Sequence, residues 1–370
     1  MFNVNTNTEL KHYPFPDIKQ SAELIASVNR KCTYTGNDEN GDAIYDQTLP
    51  RPKLKFVGTT KLHGTNAGVI IDFHNKIVYY ESRESILTAE NDNAGFAKFM
   101  ISIQDIFVEM IYNYFDNPYK MDFDWKNNVM AIYGEWCGGS IQKGVALNGM
   151  EKMFVIFSAT LRTRESTESR NLTWFDDVEI TKLKLINKNV LNIYDFKTWE
   201  VEIDFNKFHE TANQIYDWTM EVEDMCPVSK QLGVEGIGEG IVFHCVTSPY
   251  NTSDFWFKSK GTKHSKSKVV SFKPVDDEKI NRLMAIADKI TPSWRLEQMF
   301  NLTFDTINGG IVQREKISSY LKAVAEDVVK EETLTLEQEN VTYKEVGKYV
   351  GKIATDYFFM MEKEMLTNPQ

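Results

Sequence analysis

Hydrophobic and polar positions change their period along the chain, and each change predicts a different kind of element. Up to about residue 50 no period holds; Pro14, Pro16 and the polar stretch from Gly36 to Asp42 predict turns and loops. From Lys53 to Gly58 apolar and polar residues alternate, the period of a half-buried strand. Gly68–Phe73 and Ile77–Ser82 flank His74-Asn75-Lys76 and predict a β-hairpin. Phe96, Phe99, Met100, Ile103, Phe107, Met110, Ile111 and Tyr114 then recur at helical spacing, a stripe expected to be core and to carry no chemistry. Short strands are predicted at Val129–Glu135, Phe154–Ala159, Gly240–Val246 and Phe255–Lys258, whereas residues 160–235 mix both periods and give no order.

After about residue 275 the period is helical throughout. Ile280, Leu283, Met284 and Ala287 form one face, and Ile317, Tyr320, Leu321, Val324 and Val328 form a second. Thr291-Pro292 reads as a helix start, and Thr342 to Glu345 as a capping box ahead of Val346, Val350, Ile353, Tyr357 and Met361. The expectation is an α+β chain of two domains. Residues 1–274 would hold mainly antiparallel sheets with flanking helices, and residues 275–370 a small all-α domain.

Composition narrows this only a little. A hydrophobic fraction of 42% is ample for real cores and argues against disorder. Every apolar stretch is broken by Lys, Asp or Asn before it reaches membrane-spanning length, and Met1 to Asn5 lack the character of a signal peptide, so a soluble cytoplasmic protein with no membrane partner is expected. Cys32, Cys137, Cys226 and Cys245 lie far apart and suggest reduced thiols rather than a metal cage or a disulfide framework. The net charge of −11 argues mildly against nucleic acid, but its distribution argues back. No acidic residue falls between Phe255 and Lys273, while Lys258, Lys260, Lys263, Lys266, Lys268 and Lys273 gather beside His264. That run starts inside an aromatic strand pattern, which suits a phosphate-binding strand end as well as a solvated loop.

Lys61-Leu62-His63-Gly64-Thr65-Asn66, between two strand patterns, carries the chemistry. An unprotonated lysine amine can attack a phosphorus atom, and nearby cations or partial desolvation favour that form. Gly64 would let the backbone approach a nucleotide closely. A lone tetrapeptide of this kind is more often an ordinary turn. An ordered series of strand-end residues follows it: Arg83 in Glu81 to Ser85, Glu135 in Ile132 to Trp136 with Gly138 and Gly139 beyond, Phe157 in Phe154 to Ser158, Glu239 in Gly238 to Phe243, and Lys258 and Lys260 in Phe255 to Lys260. Singly, Phe157 and Val242 would be core residues, Glu135 and Glu239 surface charges, and the two lysines a solvated edge.

As an ordered set these residues resemble the motifs of the covalent nucleotidyltransferases, the superfamily of RNA ligases, DNA ligases and capping enzymes. His63-Gly64-Thr65-Asn66 and Gly134 to Lys143 look like the type-two RNA ligases of bacteriophages and kinetoplastid editing complexes. The resemblance covers roughly residues 50 to 275, with a looser likeness of the helical tail to the phage nick-sealing members. It implies a nucleotidyltransferase domain and an ATP-dependent enzyme that joins RNA 3′-hydroxyl and 5′-phosphate ends, with nicked duplex among the substrates, acting in RNA repair as a monomer. Lys61 would be the nucleophile that becomes a lysyl-adenylate. Glu135 would hold the ribose hydroxyls, and Phe157 and Val242 would sandwich the adenine. Glu239 would bind Mg²⁺ or Mn²⁺, Lys258 and Lys260 would neutralise phosphate, Arg83 would grip a phosphate, and His63 and Asn66 would support the adenylate.

Two positions depart from the family pattern: Thr60 stands where an acidic residue is common, and Ser158 where an Asp is common. Arg295 and Arg314 are candidate phosphate contacts on the tail, with surface solvation the plainer reading. Other functions stay open at this stage: a DNA ligase or guanylyltransferase of the same superfamily, a catalytically silent RNA-end-binding protein with the same fold, or a structural protein with chance matches. An OB-type barrel after Lys260, which the first two would carry, is not recognisable.

Overall fold

The structure, a computed structural model, describes residues 10–114, 123–169, 172, 174–175, 180–261, 276–306 and 310–367. Its backbone contacts group into two compact units, residues 1–28 with 52–273 and residues 29–51 with 274–370. The sequence suggests a single break near residue 275; the contacts place residues 29–51 with the C-terminal stretch.

Residues 29–51 of the smaller unit hold an antiparallel pair, β1 Tyr34–Asn37 and β2 Ala43–Tyr45, and the larger unit is built on two sheets. One has six strands in the order β6-β5-β4-β7-β8-β9, with β4 Thr65–Asp72, β5 Ile77–Ser82, β6 Ile86–Leu87, β7 Asn128–Cys137, β8 Met153–Thr163 and β9 Val190–Asn192. All of its pairings are antiparallel except β8 with β9. The other has four antiparallel strands, β10-β3-β11-β12, with β3 Lys53–Lys61, β10 Thr198–Asp204, β11 Gly240–Cys245 and β12 Phe257–Lys260. The predicted hairpin is β4–β5, where the Asp72 carboxylate accepts from the Asn75 amide at 2.8 Å and Lys76 closes the turn at positive φ.

The apolar stripe forms a helix, Phe96–Tyr114, that lays Phe96, Met100, Ile103, Phe107 and Ile111 on the six-stranded sheet against Val69, Ile71, Ile132 and Ile156. Five buried side chains of that size are worth roughly 10 kcal/mol of transfer free energy as an upper bound, which explains why the stripe has no other role. In the stretch that gave no order from sequence, β10 is followed by helices His209–Asp224 and Pro227–Gln231.

The smaller unit contains helices Asp277–Ile290, Ser293–Phe304, Ile317–Glu331, Thr333–Gln338 and Tyr343–Thr367, packed around Phe300, Tyr320, Val324, Val350 and Phe358. Asp276 caps the first by accepting from the Lys279 amide, and the Glu345 carboxylate accepts from the Thr342 amide at 3.1 Å. The expected α+β class is therefore the observed one: antiparallel sheets with flanking helices, then a helical C-terminal region.

Two local expectations are corrected. Residues 21–33 are helical rather than irregular, because Leu24 and Val28, one turn apart, are both fully buried. The last strand runs Phe257–Lys260, not Phe255–Lys258, since Ser253–Phe255 form a 3₁₀ turn that delays the extended stretch.

Glu81 on β5 is 1% exposed and accepts from the Tyr13 amide with both oxygens, at 3.0 and 3.2 Å. Burial pushes its carboxyl up to about 8, against the opposing pull of that amide and of the Arg162 guanidinium. The folded value lies above the unfolded one, so the native state holds a proton that the unfolded chain has released. Stability from this site is present in acid and is lost as pH rises from about 4.5 through 8. Glu81→Gln keeps an acceptor for Tyr13 and has no charge to bury. Between pH 5 and 8.5 the melting temperature of the wild type should fall roughly 5 °C further than that of the variant, and parallel curves would refute the account.

Candidate active site

The cleft begins with the pairing of three strands. Gly240 on β11 lies opposite Lys61 on one side and Lys260 on the other, and Val242 lies between Thr59 and Lys258. Alternation along each strand puts Lys61, Val242, Lys258, Lys260 and Trp256 on the cleft side. It sends Phe56, Ile241, Phe243 and Phe257 into the core behind them. Gly240 has a φ of +149°, and a β-carbon there would stand 2.1 Å from the Ser259 carbonyl oxygen, so this row can form only around a glycine.

Glu239, 3% exposed, is the centre of the charge arrangement. Its Oε2 accepts from Lys61 Nζ at 2.7 Å and lies 3.2 Å from His63 Nδ1, and its Oε1 is 2.7 Å from Lys260 Nζ. Burial alone would raise its carboxyl; the His63 hydrogen bond and the charges of Lys61 and Lys260 outweigh burial and hold it far below the ordinary carboxylate range. The Lys258 pKa is lowered as well, but there the charged form is the one disfavoured, by burial first and then by the neighbouring Lys260, Lys61 and Arg83.

The six-stranded sheet supplies the facing side. Asn66 pairs with Glu135, whose Oε1 accepts from the Gly64 amide at 2.8 Å and pins the Lys61–Asn66 turn to β7. Gln142 donates to the Gly64 carbonyl at 3.2 Å from the other side. A β-carbon at Gly64 would meet the Trp136 carbonyl oxygen at 2.4 Å, so the turn can sit this close only with glycine there. Burial lifts the Glu135 carboxyl to about 7, partly countered by Lys61 and the Gly64 amide. The register of β7 with β8 slips between Tyr133 and Gly134, leaving Phe157 as the extra residue of a β-bulge. The bulge keeps Phe157 and Ser158 off the buried face that Ile156 and Ala159 share, and Phe157 lines the cleft.

Lys61, His63, Asn66, Arg83, Glu135, Phe157, Glu239, Val242, Lys258 and Lys260 thus line one cleft of about 410 Å³. Arg83, more than half exposed, pairs there with Asp17. Thr60 lines the cleft as well, and its buried hydroxyl, like that of Ser158, has no hydrogen-bond partner among the described residues. Sequence reasoning missed Phe15, Pro16, Ile18, Tyr194, His244 and Trp256, which complete the walls. Only Trp256 carried a signal, its two-residue spacing from Lys258. Lys263, His264, Lys266, Lys268 and Lys273 fall outside the described residues. Arg295 and Arg314 do not present free guanidinium groups: Arg295 is 3% exposed against Asp327 and Glu332, and Arg314 is paired with Glu362. Acidic neighbours in the helical unit have taken up both charges. Among the described residues no group of three or more His, Cys, Asp or Glu could hold a metal by itself, and no helix is long and apolar enough to cross a membrane.

The RNA ligase family model matches residues 54–260, more than half of the chain and all ten of the site residues expected from the sequence. The chain belongs to the RNA ligase family. Among solved structures, this RNA ligase family member is similar to Naegleria gruberi RNA ligase with PPi, at 16% identity and a TM-score of 0.41, over 71% of this chain and 60% of that one. It is also similar to a mutant of that ligase with ATP and Mn, at 17% identity and a TM-score of 0.40, over 71% of this chain and 61% of that one. The match thus spans about three fifths of those chains. No curated protein matches the chain.

Proposed function

We propose that this protein is an ATP-dependent RNA ligase that joins a 3′-hydroxyl to a 5′-phosphate through a lysyl-adenylate on Lys61. One observation carries the reading: Lys61 Nζ lies 2.7 Å from the buried Glu239 carboxylate, flanked by Lys260 and Lys258 on a single sheet face. A lysine ringed by cations, with apolar Phe157 and Val242 and the Glu135 carboxyl lining the same cleft, suits a nucleotide whose base stacks and whose phosphates need neutralising.

In the first step the Lys61 nitrogen bonds to the α-phosphorus, the bond to pyrophosphate breaks, and the amine proton leaves. Lys258 and Lys260 offset the charge that develops on the phosphate oxygens. The AMP then passes to an RNA 5′-phosphate, restoring the Lys61 amine, and a 3′-hydroxyl attacks the activated end and releases AMP. Glu135 keeps one oxygen free of the Gly64 amide to accept from a ribose hydroxyl. Phe157 and Val242 hold the base, Arg83 a phosphate, and His63 and Asn66 the adenylate. Glu239 supports a divalent cation only together with phosphate oxygens and water, the usual way Mg²⁺ is held. Such an ion supplies charge neutralisation on the triphosphate.

The larger unit is the adenylyltransferase domain on this reading, and residues 275–370 position the RNA ends. His63-Gly64-Thr65-Asn66 supports the type-two, nick-sealing branch found in bacteriophages, with cytoplasmic RNA repair by a monomer as the setting. Full-length protein incubated with α-labelled ATP and Mg²⁺ or Mn²⁺ should acquire covalent label, pass it to 5′-phosphorylated RNA, and seal a nicked RNA duplex. Absence of protein label with either metal, or sealing of DNA nicks alone, would sink the proposal.

A further inference from the structure

Residues 10–19 form an extended strap that touches both sheets of the larger unit. Proline fixes its own backbone angle and forces the preceding residue into an extended conformation, so Tyr13-Pro14-Phe15-Pro16 has little freedom of its own. On the six-stranded sheet the strap is tied at every step. Tyr79 donates to the Lys11 carbonyl at 2.8 Å, the Tyr13 amide donates to Glu81, Tyr133 donates to the Tyr13 carbonyl at 2.7 Å, and Arg162 donates to the Pro14 carbonyl at 3.2 Å. At its far end the Lys258 amide donates to the Lys19 carbonyl at 3.0 Å, and Lys19 Nζ donates to the Asp254 carbonyl at 2.8 Å. The first of these two bonds lies on β12, the strand that carries Lys258 and Lys260, and the second on the 3₁₀ turn Ser253–Phe255 just before it.

Between the two anchor sets sits Phe15. Its ring meets Phe157 in an edge-on arrangement, centroids 5.0 Å apart and planes at 67°. Tyr133, Trp174 and Trp256 surround it at 5.2, 5.4 and 6.0 Å. Phe15, Pro16 and Ile18 also line the cleft. Phe157 occupies a β-bulge, where the ladder that would otherwise fix its backbone is interrupted, so its ring depends on neighbouring side chains for orientation.

We infer that the strap is a third wall of the nucleotide cleft and that Phe15 is a positioning residue, holding the Phe157 ring in the plane on which the base stacks. The inference rests on the nucleotide-binding reading above and assigns a role to a segment whose sequence predicts only turns. An edge-to-face pair adds modest stacking energy in a fixed geometry, so its loss acts on how well the base is held rather than on the phosphate chemistry. The attacking lysine and its cationic neighbours are on other strands and stay in place.

The test is single-turnover adenylation of the full-length protein across ATP concentrations, for wild type, Phe15→Ala and Phe15→Leu. Both variants should raise the half-saturating ATP concentration about three- to tenfold with the rate at saturation nearly unchanged. The fluorescence of a 2-aminopurine nucleoside triphosphate, quenched by stacking in the wild type, should be quenched less in both. Phe15→Leu keeps apolar volume, so a variant with wild-type melting temperature but weakened quenching separates ring placement from general packing. Wild-type ATP dependence and quenching in Phe15→Leu would overturn the inference, as would a fall in the saturated rate with unchanged half-saturation. No nucleotide binding by the wild type would overturn this inference and the proposed function together, whereas normal wild-type adenylation with an indifferent Phe15 would overturn the inference alone.

Discussion

Lys61→Ala should form no detectable covalent adenylate, a loss of at least ~10³-fold, while still binding ATP within about tenfold of wild type. The split follows from the geometry. Lys260 and Lys258 lie on the same sheet face, so three ammonium groups share the charge work, but only Lys61 both ends its strand and leads into the turn pinned by Glu135. Removing it deletes the nucleophile and one cation of four, counting Arg83. Lys61→Arg sharpens the test. A guanidinium keeps the positive charge beside Glu239 but does not give up its proton in proteins, so this variant should also remain unlabelled. Label on Lys61→Arg would assign the nucleophile to Lys258 or Lys260, and equal label on Lys61→Ala would remove Lys61 from the chemistry. Filter-bound label after gel separation, with nucleotide binding measured separately by calorimetry, reads both halves.

The reach of the sequence is instructive at the level of single residues. Lys258 and Lys260 could be put on one face because a strand repeats every two residues, and the structure keeps them there. The helical stripe from Phe96 to Tyr114 was legible for the same kind of reason: a local period is a property of neighbouring residues. Phe157 was found only through motif order, since the bulge that sets it at the cleft arises from a register slip against β7 that no local pattern encodes. The strap was invisible. Tyr13-Pro14-Phe15-Pro16 has no period, and its place depends on Glu81, Tyr133 and Arg162, all far away in the chain. The first helix was missed because Leu24 and Val28 are its deepest anchors, while Asn29, Arg30 and Lys31 dilute the pattern after them. Arg295 misled for the opposite reason: an arginine read as surface charge is buried by Asp327 and Glu332, partners that helix packing brings together.

Glu239→Gln should cost both stability and chemistry, because one buried carboxylate balances the Lys61 and Lys260 ammonium groups and also meets the His63 ring nitrogen. A glutamine offers a single carbonyl oxygen. Either Lys61 or Lys260 must then face the amide N–H₂ group, a donor against a donor, and the remaining positive charge is uncompensated. Removing one partner of a fully buried ion pair costs about 3–5 kcal/mol. Here Lys61 and Lys260 keep 23% and 26% of their side chains exposed, which screens part of that cost and leaves about 1–3 kcal/mol. The melting temperature should therefore fall by several degrees at neutral pH, and adenylation by about 10²-fold as Lys61 loses the acceptor that orients it. The sign with pH is fixed. The Glu239 carboxyl lies below its unfolded value, so its stabilisation is present above the ordinary carboxylate range and is lost as pH falls toward the folded value. The gap between wild type and variant should accordingly narrow in acid. If cation crowding is the cause, Lys61→Met should restore part of the melting temperature in the Glu239→Gln background while lowering it in the wild type. Equal effects of Lys61→Met in both backgrounds would mean that the carboxylate and the lysine act independently, and the charge account of this site would fall.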